Sequence, residues 1–335
     1  MMNADGVPGR SCPLSYHYEP DVFRQPPPPD LADLDVLYVV GGLYGNELAL
    51  TEVLRLFDAE PGRKRLVFNG DFHWFDVLPE RFARIQRAVL AHTAIRGNVE
   101  TELSERELQG DTGCGCAYPD WVGDAVVTRS NRILQRLWHT ASARHRVELA
   151  ALPMWLTASV GECRLGIVHG DAQSLAGWGF AQEHLQEPFG LEQARGWFER
   201  AGVDAFASTH TCLPVFQRVA SGDGRGDRWV FNNGATGMPN FRGDPAGLVT
   251  RIALHPCERS RSRGSILYRG VHVDALAVLA DRQAQVDEFL SQWPAGSDAH
   301  ASYFDRIMQG PSYEAHQMIR GDERAGSRSD YAVVT

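Results

Sequence analysis

Five short loops hold the residue types that could do chemistry. They are Gly42-Leu-Tyr44, Asn69-Gly-Asp71, Arg96-Gly-Asn-Val-Glu100, Val168-His-Gly-Asp171 and Thr209-His-Thr-Cys-Leu-Pro214. Each follows an apolar run, and four of them set oxygen or nitrogen donors beside small residues that permit tight turns. The first keeps the turn without the donors. Taken alone, a Gly-Asp or Gly-Asn at a strand end is an ordinary turn, and a His in an apolar run is an ordinary core residue. Their joint occurrence in one chain, each at a strand end, points instead to a metal-binding constellation.

These loops need a scaffold of alternating strands and helices. Val36–Val40 reads as a strand that runs into Gly41-Gly42. A helix opens at Asn46, with Leu48, Leu50, Val53, Leu54 and Phe57 in near-helical spacing. Arg65–Phe68 and His92–Arg96 are further strands, with a helix over Pro79–Leu90 between them. This rhythm indicates parallel pairing, with the site at the carboxyl ends of the strands. Residues 100–122 break the rhythm as an insertion that carries Gly113-Cys-Gly-Cys116, and one long helix is expected from about Gly123 to Leu152. Trp155–Val160 and Arg164–Val168 flank Gly161-Glu162 as a hairpin. A helix over Leu191–Ala201 leads to a strand at Asp204–Ser208. Val215–Val219, Trp229–Phe231, Leu248–Leu254 and Ile266–Val273 read as mostly antiparallel strands, and a closing helix covers about Leu279–Trp293.

The chain has 335 residues and a net charge of −9. That suits one large domain with appendages, and no long basic run marks an extended nucleic-acid footprint. No apolar run approaches the roughly 18 residues of a membrane span. The six cysteines are sparse and irregular, as in reduced thiols. A cytoplasmic protein acting on a small molecule is expected, and the oligomeric state is not readable. The expected organisation is a flexible Pro-rich segment over 1–30, a main domain over 31–295 and a partly disordered extension over 296–335.

The order of the five loops resembles the calcineurin-like metallophosphoesterase superfamily, in particular its small bacterial phosphodiesterase-like branch. The resemblance covers roughly Asp35 to Val273. The late Asn232-Asn-Gly-Ala-Thr-Gly-Met-Pro239 turn supports it, with Asn233 where the branch usually has proline. The resemblance implies an α/β fold of two facing mixed β-sheets flanked by helices, a four-layer αββα arrangement. It also implies two metals about 3.5–4 Å apart that share one aspartate. Carried onto this chain, the second-metal ligands fall on Asp71, Asn98, His169 and His210, with Asp71 in the bridging place. The private ligands of the first metal fall on Gly42, Tyr44 and Cys212, where the family has Asp, His and His.

All the losses therefore fall on one metal. The expectation is a phosphoesterase with one divalent ion (Mn, Fe or Zn) per chain, hydrolysing a phosphodiester, nucleotide or other small phosphorylated substrate through metal-activated water. The alternatives are a degenerate relative that binds metal and a phosphate ligand or partner with little hydrolysis, and a different reaction at a mononuclear centre. Cys212 is kept as a soft ligand candidate, with Cys114 and Cys116 as weaker ones beside the bland reading of buried thiols. Tyr44 either hydrogen-bonds a phosphate oxygen or fills the space of the missing His. Asn46 and Arg96 are candidates for phosphate binding. His73 is the candidate leaving-group acid or stand-in ligand, against the reading of a plain loop histidine, because Val99 occupies the place where many members carry His. Asp171 is the candidate partner that orients His169. The insertion, Trp121 and Ala176-Gly-Trp-Gly-Phe180 either form a specificity pocket or simply pack.

Overall fold

The computed structural model describes residues 8–24, 29–105, 107, 112–221, 224, 226–321 and 331–333. In chain order its elements are β1 (Leu31–Leu34), β2 (Val36–Val40), α1 (Glu47–Asp58), β3 (Lys64–Asn69), α2 (Pro79–Leu90), β4 (Thr93–Ile95), α3 (Asn98–Ser104), α4 (Asp124–Thr140) and α5 (Ala143–Ala150). Then come β5 (Trp155–Val160), β6 (Cys163–Val168), α6 (Pro188–Ala201), β7 (Ala205–Ser208), β8 (Pro214–Val219), β9 (Arg228–Asn233), β10 (Gly247–Ala253), β11 (Ser262–Tyr268), β12 (Val271–Val278), α7 (Arg282–Gln292), α8 (Asp298–Gln309), β13 (Ile319–Arg320) and β14 (Tyr331–Val333).

Among the described residues the strands form two seven-stranded sheets, in the orders β14-β11-β12-β10-β2-β3-β4 and β1-β5-β6-β7-β9-β8-β13. Both are mixed. β2, β3 and β4 run parallel while β10 pairs antiparallel to β2. β6, β7 and β9 run parallel while β5 and β8 pair antiparallel to β6 and β9.

The side chains of β2 explain why it is apolar throughout. Leu37 and Val39 join Leu165, Ile167, Ala205, Ala207 and Phe231 in the layer between the sheets. Val36, Tyr38 and Val40 face the other way, onto Leu50 and Val53 of α1. Successive side chains on a strand point to opposite faces, so a strand covered on both sides has no polar position to spare. The second sheet repeats the arrangement, with Val168, Phe206, Val215 and Val230 packing on Trp197 and Phe198 of α6. This is the α/β arrangement of facing mixed sheets between helical layers that the resemblance implied.

Several boundaries differ from expectation. The long helix over 123–152 is two helices, because Ser142 accepts a hydrogen bond from His145 N and caps a new start at α5. The single strand expected at Ile266–Val273 is a hairpin. Arg269 and Gly270 take φ of 48° and 75° and turn β11 into β12. The first residues of the expected insertion are helical, since α3 starts at Asn98. Within residues 8–24, Tyr16 and Phe23 are fully buried, while Leu14 is exposed. α8 and β13 likewise pack onto the domain, β13 pairing with β8. The stretch expected to be disordered, Arg320–Asp330, lies mostly outside the described residues.

Candidate metal centre and cleft

The site loops leave β2, β3, β4, β6 and β7 at their carboxyl ends, where the two sheets meet. Glycines allow the loops to touch. A Cβ on Gly97 would lie 2.5 Å from Asp71 Oδ1 and 2.7 Å from His169 Cε1, and one on Gly70 would lie 2.5 Å from His169 Nδ1. Asp71 and His210 adopt left-handed backbone, φ 52° and 48°. That conformation is uncommon for residues with a side chain and gathers at functional sites.

Asp71, His169 and His210 bring one ligand atom each to within 4.8 Å of one another, all buried. His169 Nε2 lies 3.4 Å from Asp71 Oδ1, 3.2 Å from Asn98 Oδ1 and 3.2 Å from His210 Nδ1. Partners on the outer side decide where the protons sit. His169 Nδ1 is 2.8 Å from the Asn69 carbonyl, which can only accept, so Nδ1 carries the hydrogen. His210 Nε2 is 3.1 Å from the Cys116 carbonyl and donates to it for the same reason. Asn98 Nδ2 donates to Cys114 O at 2.9 Å and to Cys116 Sγ at 3.4 Å, which turns Oδ1 inward. Two imidazole lone pairs, an amide oxygen and a carboxylate oxygen thus converge with no donor among them. Only a cation relieves such a cluster: a proton on His169 or a metal ion.

The electrostatics agree. Burial and the neighbouring His169 ring push His210 down to about 3, so it presents a neutral lone pair. Burial by itself would lower His169, but the Asp71 carboxylate outweighs it and holds His169 above its usual value. Burial likewise opposes the charge on Asp71, and His169 reverses this to keep its pKa low.

Glu100 ties the second and third loops together. Its carboxylate accepts from Asp71 N at 2.7 Å, Gly97 N at 2.9 Å and Phe72 N at 3.0 Å. Its place in the Arg96–Glu100 loop gave no sign of this clasp.

The structure differs from several expectations. Cys212 does not join the converging ligands. Its Sγ lies 2.9 Å from Tyr44 Oη and 3.2 Å from the His210 carbonyl. Burial raises the pKa of both Cys212 and Tyr44, so the pair is neutral. The Tyr44 ring also fills the space above Gly42, where a Cβ would meet Tyr44 Cζ at 2.9 Å. His73 faces α2, stacked on Phe82 at 3.6 Å with Nδ1 3.1 Å from Asp76, and does not line the cleft. Asn46 is engaged at both ends of its amide. It accepts from Ala49 N to cap α1 and donates to Gly237 O at 2.9 Å. Arg96 does not line the cleft either. Asp171 accepts from Gln173, Ser174 and Gly179 N–H groups and shapes its own loop, so the Asn69 carbonyl, not Asp171, orients His169. Cys114 is buried away from the cleft, whereas Cys116 borders it.

A cleft of about 380 Å³ opens over the ligand cluster, lined by Asp71, Asn98, Val99, Cys116, His210, Cys212 and five aromatic residues, namely Tyr44, Trp74, Tyr118, Trp178 and Tyr303. Tyr118 and Trp178 come from the two stretches that left a pocket open as a reading. Tyr303 comes from α8, where no sequence signal marked it. Among the described lining residues there is no lysine or arginine.

No protein-family model and no curated protein matches this sequence. Solved structures do match. The hypothetical protein PH1004 from Pyrococcus horikoshii OT3 superposes with a TM-score of 0.54 at 13% identity, over 83% of this chain and 99% of that one. A metallophosphoesterase from Sphaerobacter thermophilus matches with a TM-score of 0.49 at 16% identity, over 82% of this chain and 100% of that one. At 13% identity the likeness to the Pyrococcus protein is one of fold. Among the described residues no helix is long and apolar enough to cross a membrane.

Proposed function

We propose that this chain is a metallophosphoesterase of the calcineurin-like superfamily that works with one divalent ion, held by Asp71, Asn98, His169 and His210. The observation that carries the reading is the inward convergence of their four lone-pair-bearing atoms, with both histidine tautomers fixed from outside by carbonyls. Two oxygens and two nitrogens suit Mn²⁺, Fe²⁺ or Zn²⁺. Such an ion, when bound, polarises a phosphoryl oxygen and brings the pKa of its water toward about 7.

The chain's own groups supply the rest. The Tyr44 hydroxyl stands beside Cys212 where the family's first metal is expected. Its raised pKa keeps it protonated, so it donates to a phosphate oxygen and covers part of the developing charge. Cys212 assists without charge. Its S–H is directed to the His210 carbonyl, which leaves sulfur as the acceptor for Tyr44 between turnovers. Glu100 holds the Asp71 and Asn98 loops at a fixed separation through backbone N–H groups. Val99 borders the cleft where many family members have a histidine, and His73 faces away, which favours substrates whose leaving group needs no proton. The same two facts favour, as the second reading, a binder of phosphate ligands with little hydrolysis.

The deciding experiment is a panel of phosphodiesters and phosphomonoesters assayed with added Mn²⁺, Fe²⁺, Zn²⁺ or chelator. Metal-dependent turnover that disappears in Asp71→Asn supports the hydrolase. Metal binding without turnover of any ester supports the second reading.

A further inference from the structure

The aromatic wall of the cleft has no part in holding a metal, and it is built as a binding surface. Trp178 Nε1 donates to Cys116 O at 2.9 Å, and Tyr118 Oη is 3.0 Å from Ser130 Oγ. Their polar atoms are satisfied within the protein, so what they offer a ligand is ring surface. Trp178 packs edge-on to His210 with centroids 5.5 Å apart, which sets this surface directly against the ligand cluster. Trp121 extends it outward. It is 60% exposed and meets Trp178 edge-on at 6.2 Å. Trp74 and Tyr303 stand among the other lining residues. A large exposed tryptophan that continues into a lined cleft marks a recognition surface.

Charge narrows the ligand further. No lysine or arginine is among the described lining residues, the Tyr44–Cys212 pair is neutral, and the Arg306 guanidinium beside it is engaged with the Cys212 carbonyl at 2.7 Å, so without a metal ion the cleft has little to set against a dianion. A phosphomonoester carries about −1.5 to −2 at neutral pH. A phosphodiester carries a single charge, and an aromatic substituent on it would gain stacking contact.

We infer that this cleft is a site for aromatic phosphodiesters, in which Trp178, flanked by Trp121 and Tyr118, stacks on a planar ring of the ligand (an aryl group or a nucleobase) and so determines specificity. The inference rests on the phosphoesterase reading for its chemistry, but its binding claim is tested separately. The test is calorimetric titration of the full chain, metal-loaded and metal-free, with phenyl methyl phosphate, adenosine 5′-(methyl phosphate), dimethyl phosphate and phenyl phosphate. Both aromatic diesters should bind about tenfold or more tighter than dimethyl phosphate, the scale of one stacking contact. In the metal-free protein each should also bind more tightly than phenyl phosphate. Trp178→Ala should bring the ratio of aromatic-diester to dimethyl phosphate affinity down toward one, and Trp178→Phe should keep most of it. Equal or tighter binding of phenyl phosphate by the metal-free protein overturns the inference, as does a Trp178→Ala variant that leaves the ratio of aromatic-diester to dimethyl phosphate affinity unchanged. If the aromatic diesters bind as expected but no ester is hydrolysed, the site stands and the hydrolase reading falls.

Discussion

The hydroxyl of Tyr44 lies 2.9 Å from the thiol of Cys212, although 168 residues separate them in the chain. By the sequence resemblance, the two positions correspond to histidine ligands of a two-metal phosphoesterase. Here they satisfy each other without charge, and the Tyr44 ring covers Gly42. On the proposed one-metal reading, a hydrogen-bonded pair stands where the first metal's ligands would be.

That reading can be tested by restoring the family's ligands. The triple variant Gly42→Asp, Tyr44→His, Cys212→His removes the ring that blocks position 42 and restores three ligands. It is expected to bind two metal ions per chain where the unmodified protein binds one. Gly42→Asp alone is expected to destabilise the fold, because its Cβ meets the Tyr44 ring at 2.9 Å and φ there is +63°. Elemental analysis and thermal melts check both statements. A triple variant that still holds one ion would show that the pocket is closed for other reasons.

Tyr44→Phe keeps the ring and removes one hydrogen bond. A loss of about 1 kcal/mol of stability is expected, with metal content unchanged and phosphoester turnover reduced. Denaturant unfolding and metal analysis of the same preparation test it. Loss of the metal would assign Tyr44 a role in holding the ion.

Glu100 positions the metal loops. Glu100→Gln turns one accepting oxygen into a donor facing backbone N–H groups, which should cost about 1–3 kcal/mol and weaken metal affinity on the order of tenfold or more. The readout is the metal dissociation constant beside the unfolding midpoint. A stability loss with unchanged metal affinity would make Glu100 a purely structural clasp.

Glu102 gives the fold a pH dependence. Burial raises its pKa to about 7 from the ordinary 4.5, and Tyr16 Oη donates to it at 2.6 Å. The folded state therefore holds a proton that the unfolded chain releases between pH 4.5 and 7. This contribution is full at low pH and is lost as pH rises through about 7, with a magnitude on the order of 3 kcal/mol at most. Glu102→Gln should flatten the fall in melting temperature between pH 5 and 8. An unchanged slope would place the titration elsewhere.

That Asp71, Asn98, His169 and His210 would come together was legible because each follows an apolar strand, where local patterning carries the signal. The parallel pairing of β2, β3 and β4 follows from the same runs. What escaped the sequence depends on contacts made across the fold. The tautomer of His210 is set by the carbonyl of Cys116, 94 residues away. Asn46 looked like a phosphate donor, yet its place as the α1 cap already commits its oxygen. His73 is two residues from Asp71, but its ring is captured by Phe82 and Asp76, which periodicity does not register. Tyr303 reaches the cleft because α8 packs back on the domain, and its polar sequence gave no hint of that.

The account depends most on how many metal ions the chain holds. Purified protein, dialysed free of loosely bound metal and analysed by elemental mass spectrometry, is predicted to contain one divalent transition ion per chain, and the Asp71→Asn variant none. Two ions per chain in the unmodified protein, or one that persists after Asp71→Asn, would contradict it.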